Sequence, residues 1–369
     1  MTPTTKKRVA ALAPYGRGWS NVELIKDCGL IPYLLYKNHN CDVTMVGAKG
    51  DDYPYLESCV RGLQMKFLAD GREETKLAWL REESSRIDCL ILRGCYSENF
   101  AAARVYKQQN PNGKIYVGLD ANGYWMDTLL WFHPLFTEFM ERCDVIATSS
   151  RVVQEYLNIK WPWKIHCIPN GFYDFSALPA VPFARKKDVI LTVARLGSPS
   201  KCTPVLADAF ARIADEIPGW TLRLVGSSSP EFTAFMNGFY ERHPSLTNRV
   251  CLTGPIQDRN ALRQEYLQAK IFALPSLVEG GTPNVIAEAL NAGCAMAVGK
   301  FDAYREAIGN GRCGLAAESV PEAFSAALLS LCRNPRLEDL SARALAYGEE
   351  QFDMERITAR LYEMIFEGA

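Results

Sequence analysis

Residues 271–293 read IFALPSLVEGGTPNVIAEALNAG, and this stretch restricts the fold more than any other. Ile271, Phe272, Ala273 and Leu274 make a continuous apolar run that ends at Pro275, the pattern of a strand covered on both faces. A polar, glycine-rich turn follows over 276–282. Pro283 then suits the first position of a helix, where its missing N–H is not needed. Val285, Ile286, Ala289 and Leu290 share one helical face, and Gly293 marks the stop. Gly280 and Gly281 would let backbone approach a ligand closely. The amides of Asn284, Val285 and Ile286 would point at that ligand, with the positive end of the helix dipole behind them. Strand, tight turn and helix start together predict an anion site suited to phosphate. Glu288 falls one turn past Asn284, where a carboxylate can accept from two neighbouring hydroxyls, as on a ribose. The same pattern also fits a buried helix whose glutamate complements the dipole.

The rest of the chain repeats this alternation. In the first half, strands are predicted over 9–13, 42–46, 63–68, 87–92, 114–119 and 144–148, with helices over 74–84, 101–108 and up to 141. A helix is also expected from Ser20, capped by its hydroxyl, with Val22, Leu24, Ile25 and Cys28 on its face; the chain then continues through PYLLYKN to the second strand. Residues 168–182 hold three prolines without periodicity and read as a crossing between domains. A second alternating series starts at Asp188, with strands over 188–194, 220–225 and 249–252 and a helix over 205–213. Apolar strands separated by helices predict parallel sheets covered on both faces, an α/β fold in two domains.

A length of 369 residues is enough for two such cores. A formal net charge of −1 gives no basic face for nucleic acid. The twelve cysteines are scattered, without CxxC pairs or zinc-ligand spacing, and read as reduced core residues of a cytoplasmic protein. No stretch approaches the roughly 18 apolar residues of a membrane span.

Candidate ligand residues stand where strands end. Gly16 and Gly18 follow the first strand, but residue 21 is Asn and no acidic residue closes the second strand, so a dinucleotide fingerprint is not formed. They either face a ligand phosphate or make a plain strand-to-helix turn. Asp120 ends the fifth strand and would face a ligand cleft with Asn122, unless both serve a solvated turn. His133 lies in the aromatic run YWMDTLLWFHPLF, which fits core packing, an acceptor groove or a membrane surface. Arg195 and Lys201 stand at the end of the strand that opens the second half, within ARLGSPSK. A leaving diphosphate gathers negative charge; Arg offers it a forked pair of hydrogen bonds and Lys a point charge.

Taken in order, DVIATSS (144–150), IPNG (168–171), TVARLGSPSK (192–201), LRLVGS (222–227), CLTGPI (251–256), IFALPSLVEGGTPNVIAEALNAG (271–293) and GNGRCGL (309–315) resemble the retaining GT-B glycosyltransferases of family 4. The resemblance runs from about residue 144 to 315; before that only the layout is similar. It implies a GT-B architecture: an acceptor-side Rossmann-like domain over 1–170, a linker over 171–187, a donor-binding domain over 188–350 and a crossing helix over 351–369, with the domains facing a cleft. By the same resemblance Arg195 and Lys201 contact the donor diphosphate, Glu288 binds ribose and Glu279 lies near the transferred sugar. Gly281, Thr282, Pro283 and Asn284 would present loop amides, with Gly280 beside them. The backbone around Thr253 to Ile256 would meet the base, and Gly226 and Gly254 count among the donor-binding residues.

Two departures stand out. Eight residues separate Glu279 from Glu288, one more than the family's usual spacing, so either the loop carries an extra glycine or Gly280 takes the first glutamate's place. Where many members place a His after the strand ending at Leu119, this chain has Asp120.

The resemblance implies hexose transfer from a nucleoside diphosphate sugar, UDP-linked by preference, to an acceptor hydroxyl in polysaccharide or glycoconjugate synthesis. No carboxylate pair resembling a metal site stands at the cleft, so no metal is expected, and no bound cofactor. The partners expected are the nucleotide sugar, a saccharide, lipid-linked or other hydroxyl acceptor, and a peripheral membrane contact. An epimerase or phosphorylase of the same architecture, or an inactive sugar-nucleotide-binding partner protein, are the alternatives.

Overall fold

The structure, a computed structural model, describes residues 6–368 except 15, 17, 120, 121 and 177. The chain divides into two compact units. The first runs to Tyr173 and takes in the residues from Met354; the second spans Asp174–Asp353.

The first unit is built on seven strands: β1 (Lys7–Leu12), β2 (Cys41–Ala48), β3 (Gln64–Leu68), β4 (Cys89–Arg93), β5 (Lys114–Leu119), β6 (Val145–Thr148) and β7 (Ile165–Cys167). They lie in the order β3-β2-β1-β4-β5-β6-β7, every pair parallel. Leu90, Leu92, Ile115, Val117 and Ile146 face the helices from these strands and meet Tyr106, Phe136, Phe139 and Trp161 in one core. The helix Met354–Phe366 packs on the helix Asp27–Asn38; Asn38 Nδ2 donates to Glu355 Oε1 over 3.0 Å, and His39 stacks on Tyr362.

The start of that first helix differs from expectation. Val22–Ile25 is a single 3-10 turn, and Ser20 caps nothing; its amide and hydroxyl both donate to Glu23 Oε2 (2.6 and 2.9 Å). The α-helix begins at Asp27 and runs through PYLLYKN to Asn38, with Pro32 inside it. An internal proline costs about 3 kcal/mol, but Leu30, Ile31, Leu34 and Leu35 are all buried along this helix, and their burial is worth more. Gly29 lets the helix seat on the preceding turn, since a Cβ there would come within 2.3 Å of the Leu24 carbonyl oxygen.

The second unit holds six parallel strands: β8 (Lys187–Val193), β9 (Thr221–Val225), β10 (Val250–Gly254), β11 (Ala269–Leu274), β12 (Ala295–Gly299) and β13 (Gly314–Ala317). Their order is β10-β9-β8-β11-β12-β13. Its core gathers Ile190, Leu222, Leu224, Ile271 and Ala273 with Leu206, Phe210, Phe232, Phe239 and Phe324. Both sheets are thus doubly wound. In each, the strand order reverses beside the first strand, between β1 and β4 and between β8 and β11, and open α/β sheets bind ligands outside the carboxyl ends of strands at such a point.

Candidate active site

In the second unit the reversal point brings together two loops that are far apart in sequence. The loop after β8 carries Arg195 and Lys201; the loop after β11 carries Glu279 and residues 280–283. The Leu277 amide donates to the Ser200 carbonyl over 2.9 Å and ties one loop to the other. Lys201 Nζ lies 2.5 Å from Glu279 Oε1, with side chains only 14% and 10% exposed. Arg195 differs: it is exposed, and its guanidinium has no ion pair among the described residues. The rim therefore presents one cation already matched by a carboxylate and one open to an incoming anion.

Behind the loop, the helix Asn284–Leu290 is buried from Ile286 onward. Gly281 takes φ +143, a backbone state open to glycine, and Thr282 is buried beside it. Pro283 sits just before the helix rather than inside it, and its carbonyl accepts from the Ile286 amide over 2.9 Å. Of the three amides expected to face a ligand, that of Ile286 is therefore spent inside the turn. Asn284 and Val285 open the helix. Gly293, at φ +67, ends it as anticipated, with its amide on the Leu290 carbonyl and that of Cys294 on Ala289.

Glu288 is 6% exposed and is held from the neighbouring helix Arg259–Gln268. Tyr266 donates its hydroxyl to Glu288 Oε2 (2.7 Å), and Arg259 stands 3.4 Å from Oε1. Arg263 donates to the backbone carbonyls of Glu288 (3.3 Å) and Asn291 (2.9 Å). Arg259, Arg263 and Tyr266 recur at helical spacing on one face; that periodicity, legible in RNALRQEY, is the signal by which they could have been found. Lys186, 7% exposed, adds three donations, to the carbonyls of Leu267 (3.0 Å), Ala269 (3.1 Å) and Ala292 (2.7 Å). Burial pushes its pKa below the ordinary lysine value.

The glycines have distinct reasons. A Cβ at Gly226 would fall 1.8 Å from the Ala194 carbonyl oxygen, so close approach of the ends of β8 and β9 requires it. Its amide donates to the Gly254 carbonyl over 3.0 Å. Gly254 stands at the end of β10, past a register shift, at φ +78 with open space where a Cβ would be. In the first unit, Gly18 abuts the Ala48 carbonyl, and the Gly16 amide donates to Glu98 Oε2 over 3.3 Å. Glu98 also pairs with buried Lys76 at 3.3 Å. Packing within this unit thus accounts for Gly18, and a carboxylate occupies the Gly16 amide.

Asp120 lies outside the described residues. Asn122 accepts from the Trp125 amide over 2.8 Å and caps the short helix Gly123–Thr128. His133 caps the next helix, accepting at Nδ1 from the Leu135 amide over 3.3 Å. The aromatic run divides: Met126 and Phe136 enter the core, while Tyr124, Leu130, Phe132 and Leu135 are exposed. Among the described residues no cluster of three or more His, Cys, Asp or Glu could hold a metal ion, and no helix is long and apolar enough to cross a membrane.

Residues 187–334, the segment that contains this rim, match the protein family described as Glycosyl transferases group 1. The chain is a glycosyltransferase of the GT-B fold. In structure the glycosyltransferase is similar to sucrose-phosphate synthase from Thermosynechococcus elongatus, with a TM-score of 0.73 and 18% identity over 99% of this chain and 100% of that one. HepE from Anabaena, in complex with UDP, has a TM-score of 0.73 and 15% identity over 97% and 98%. A glycosyltransferase from Rickettsia africae has a TM-score of 0.73 and 15% identity over 99% and 100%. At these identities the likeness is one of fold. No curated protein matches the sequence of this glycosyltransferase.

Proposed function

We propose that the protein is a retaining hexosyltransferase that uses a nucleoside diphosphate sugar, UDP-linked by preference, and an acceptor hydroxyl in polysaccharide or glycoconjugate synthesis. The observation that carries the reading is the placement of Arg195 and Lys201 on one loop at the strand-order reversal of the matched segment, facing the loop of Glu279. HepE has been solved with UDP and with UDP-glucose, which supports a uridine donor. In this reading Arg195 and Lys201 take the charge that grows on the leaving diphosphate, and the Glu288 carboxylate receives the ribose hydroxyls. The diphosphate oxygen itself accepts the proton of the attacking hydroxyl on the face it leaves, so position and fixed charge do most of the work. Asp120 is proposed beside the acceptor hydroxyl. The two fixed cations let the reaction run without a divalent metal. Peripheral membrane contact through exposed Leu130, Phe132 and Tyr124 belongs to the same proposal.

The test is a panel of UDP-sugars with hydroxyl acceptors, followed by proton NMR. Expected products are UDP and a glycoside that keeps the donor's anomeric configuration, at a rate unaltered by excess chelator. An inverted product rejects retention, loss of turnover in chelator rejects metal independence, and sugar phosphate or an epimer rejects transfer.

A further inference from the structure

Asp174 opens the second unit, inside the proline-bearing stretch 168–182. Both of its carboxylate oxygens have partners. Oδ1 accepts from the amide and the hydroxyl of Ser176 (2.8 and 2.6 Å), and Oδ2 lies 3.2 Å from Arg263 Nε. The remaining nitrogens of that guanidinium, Nη1 and Nη2, donate to the backbone carbonyls of Glu288 and Asn291. A guanidinium is a planar, rigid fork, so fixing Nε fixes the direction of the other two nitrogens. The carbonyls they reach belong to the last turn and the C-cap of the helix Asn284–Leu290. Asp174 therefore aims Arg263, and Arg263 holds the backbone from which the Glu288 carboxylate projects.

Charge acts in the same direction. The Arg263 side chain is only 10% exposed, and a shielded cation without a counter-ion is costly. Burial lowers its pKa, and Asp174 stands first among the influences that oppose this, with Glu288 the only other carboxylate among them. Without the Asp174 charge, Glu288 would be the carboxylate left to compensate Arg263, at the expense of any hydroxyl it receives.

We propose that Asp174 is a positioning residue for Glu288: acting through Arg263, it fixes the glutamate's backbone and leaves its carboxylate to the ribose hydroxyls of the ligand. The inference rests on the reading of Glu288 as the ribose acceptor. Arg195 and Lys201, on another loop, hold the diphosphate without Asp174, so its influence is confined to the hydroxyl-bearing part of the nucleotide.

Calorimetric titration of the full chain with UDP and with its dideoxy analogue, which lacks both ribose hydroxyls, tests this. The wild type should bind UDP at least about tenfold more tightly than the analogue. Asp174→Asn keeps the shape and an acceptor for Ser176 but removes the charge. It should weaken UDP by about tenfold and the analogue by less than about twofold, so the preference collapses. In an Arg263→Gln background the same substitution should change UDP affinity by less than about twofold, because the route is already cut. Ser176→Ala, an exposed change that loosens the Asp174 carboxylate, provides a second variant if the others do not fold, with a loss of a few-fold for UDP alone. An equal loss for both ligands is what a merely structural role would give and overturns the proposal. So does an unaltered preference in the folded variants, or a full further loss in the Arg263→Gln background. A wild type that binds UDP and the analogue alike removes the ribose reading of Glu288 itself, and this inference with it.

Discussion

The hydroxyl of Tyr266 donates to Glu288 Oε2 over 2.7 Å from a facing helix, so the carboxylate expected to meet a ribose is aimed by a residue 22 positions earlier in the chain. Both residues are buried. Tyr266→Phe removes one donor and leaves the ring in place. Its expected effect is a Kd for UDP-sugar weakened by about five- to tenfold, with about 1–2 kcal/mol lost in urea unfolding. Titration calorimetry and urea melts check the two parts separately; unaltered affinity would detach Glu288 from donor binding.

Arg195 is exposed and forms no ion pair among the described residues, so its removal should leave folding alone. Arg195→Ala is expected to lower kcat/KM for the UDP-sugar about 100-fold, the scale of losing one charge-stabilising group, with an unchanged Tm. Steady-state kinetics beside a thermal melt decide it.

Lys186 joins the end of helix Arg259–Gln268, the start of β11 and the turn after helix Asn284–Leu290 through its three carbonyl bonds. Lys186→Met fills the volume but removes all three donations, and only the Ala269 carbonyl keeps a further side-chain donor among the described residues, the Cys294 thiol at 3.5 Å. We expect a loss of about 3 kcal/mol in urea unfolding. A loss below about 1 kcal/mol would show that the carbonyls find other donors.

Asp144 gives a pH dependence. Burial pushes its carboxyl up, but Lys107, the Ile115 amide and Lys114, at 2.9, 2.9 and 3.1 Å, outweigh this and hold it below the ordinary range. A carboxylate depressed on folding stabilises fully above its unfolded value, about pH 4, and that stability is lost as pH falls through the folded value. Asp144→Asn should therefore cost about 1–2 kcal/mol at pH 7, and its difference from wild type should shrink below about pH 4. Urea melts at pH 7 and pH 3 measure both.

The thiols offer a count. Burial pushes Cys41 and Cys313 up to about 11 and Cys332 to about 12, and raises Cys89, Cys95 and Cys143 as well. The thiolate is the reactive form. At pH 8 the five buried thiols, Cys41, Cys89, Cys95, Cys294 and Cys313, should resist a thiol reagent in the folded protein, whereas all twelve cysteines react after denaturation. Rapid labelling of any of the five, located by mass spectrometry, would contradict their burial.

Local order was readable from the chain alone. The apolar run of β11, the glycine turn and the stop at Gly293 follow from short-range sterics and burial, which neighbouring residues determine by themselves. The parallel sheets follow from strand and helix alternation in the same way. The helix through Pro32 was not readable, because local propensity opposes it and only the packing of Leu30, Ile31, Leu34 and Leu35 overrides that. The tertiary structure alone decided that Lys201 meets Glu279 across 78 positions and that Tyr266 and Arg259 reach Glu288. Strand order sets those meetings: β8 and β11 are neighbours because the sheet winds in both directions from its first strand. Hydrophobic periodicity records which face of each strand is covered and carries no record of which strand lies beside it.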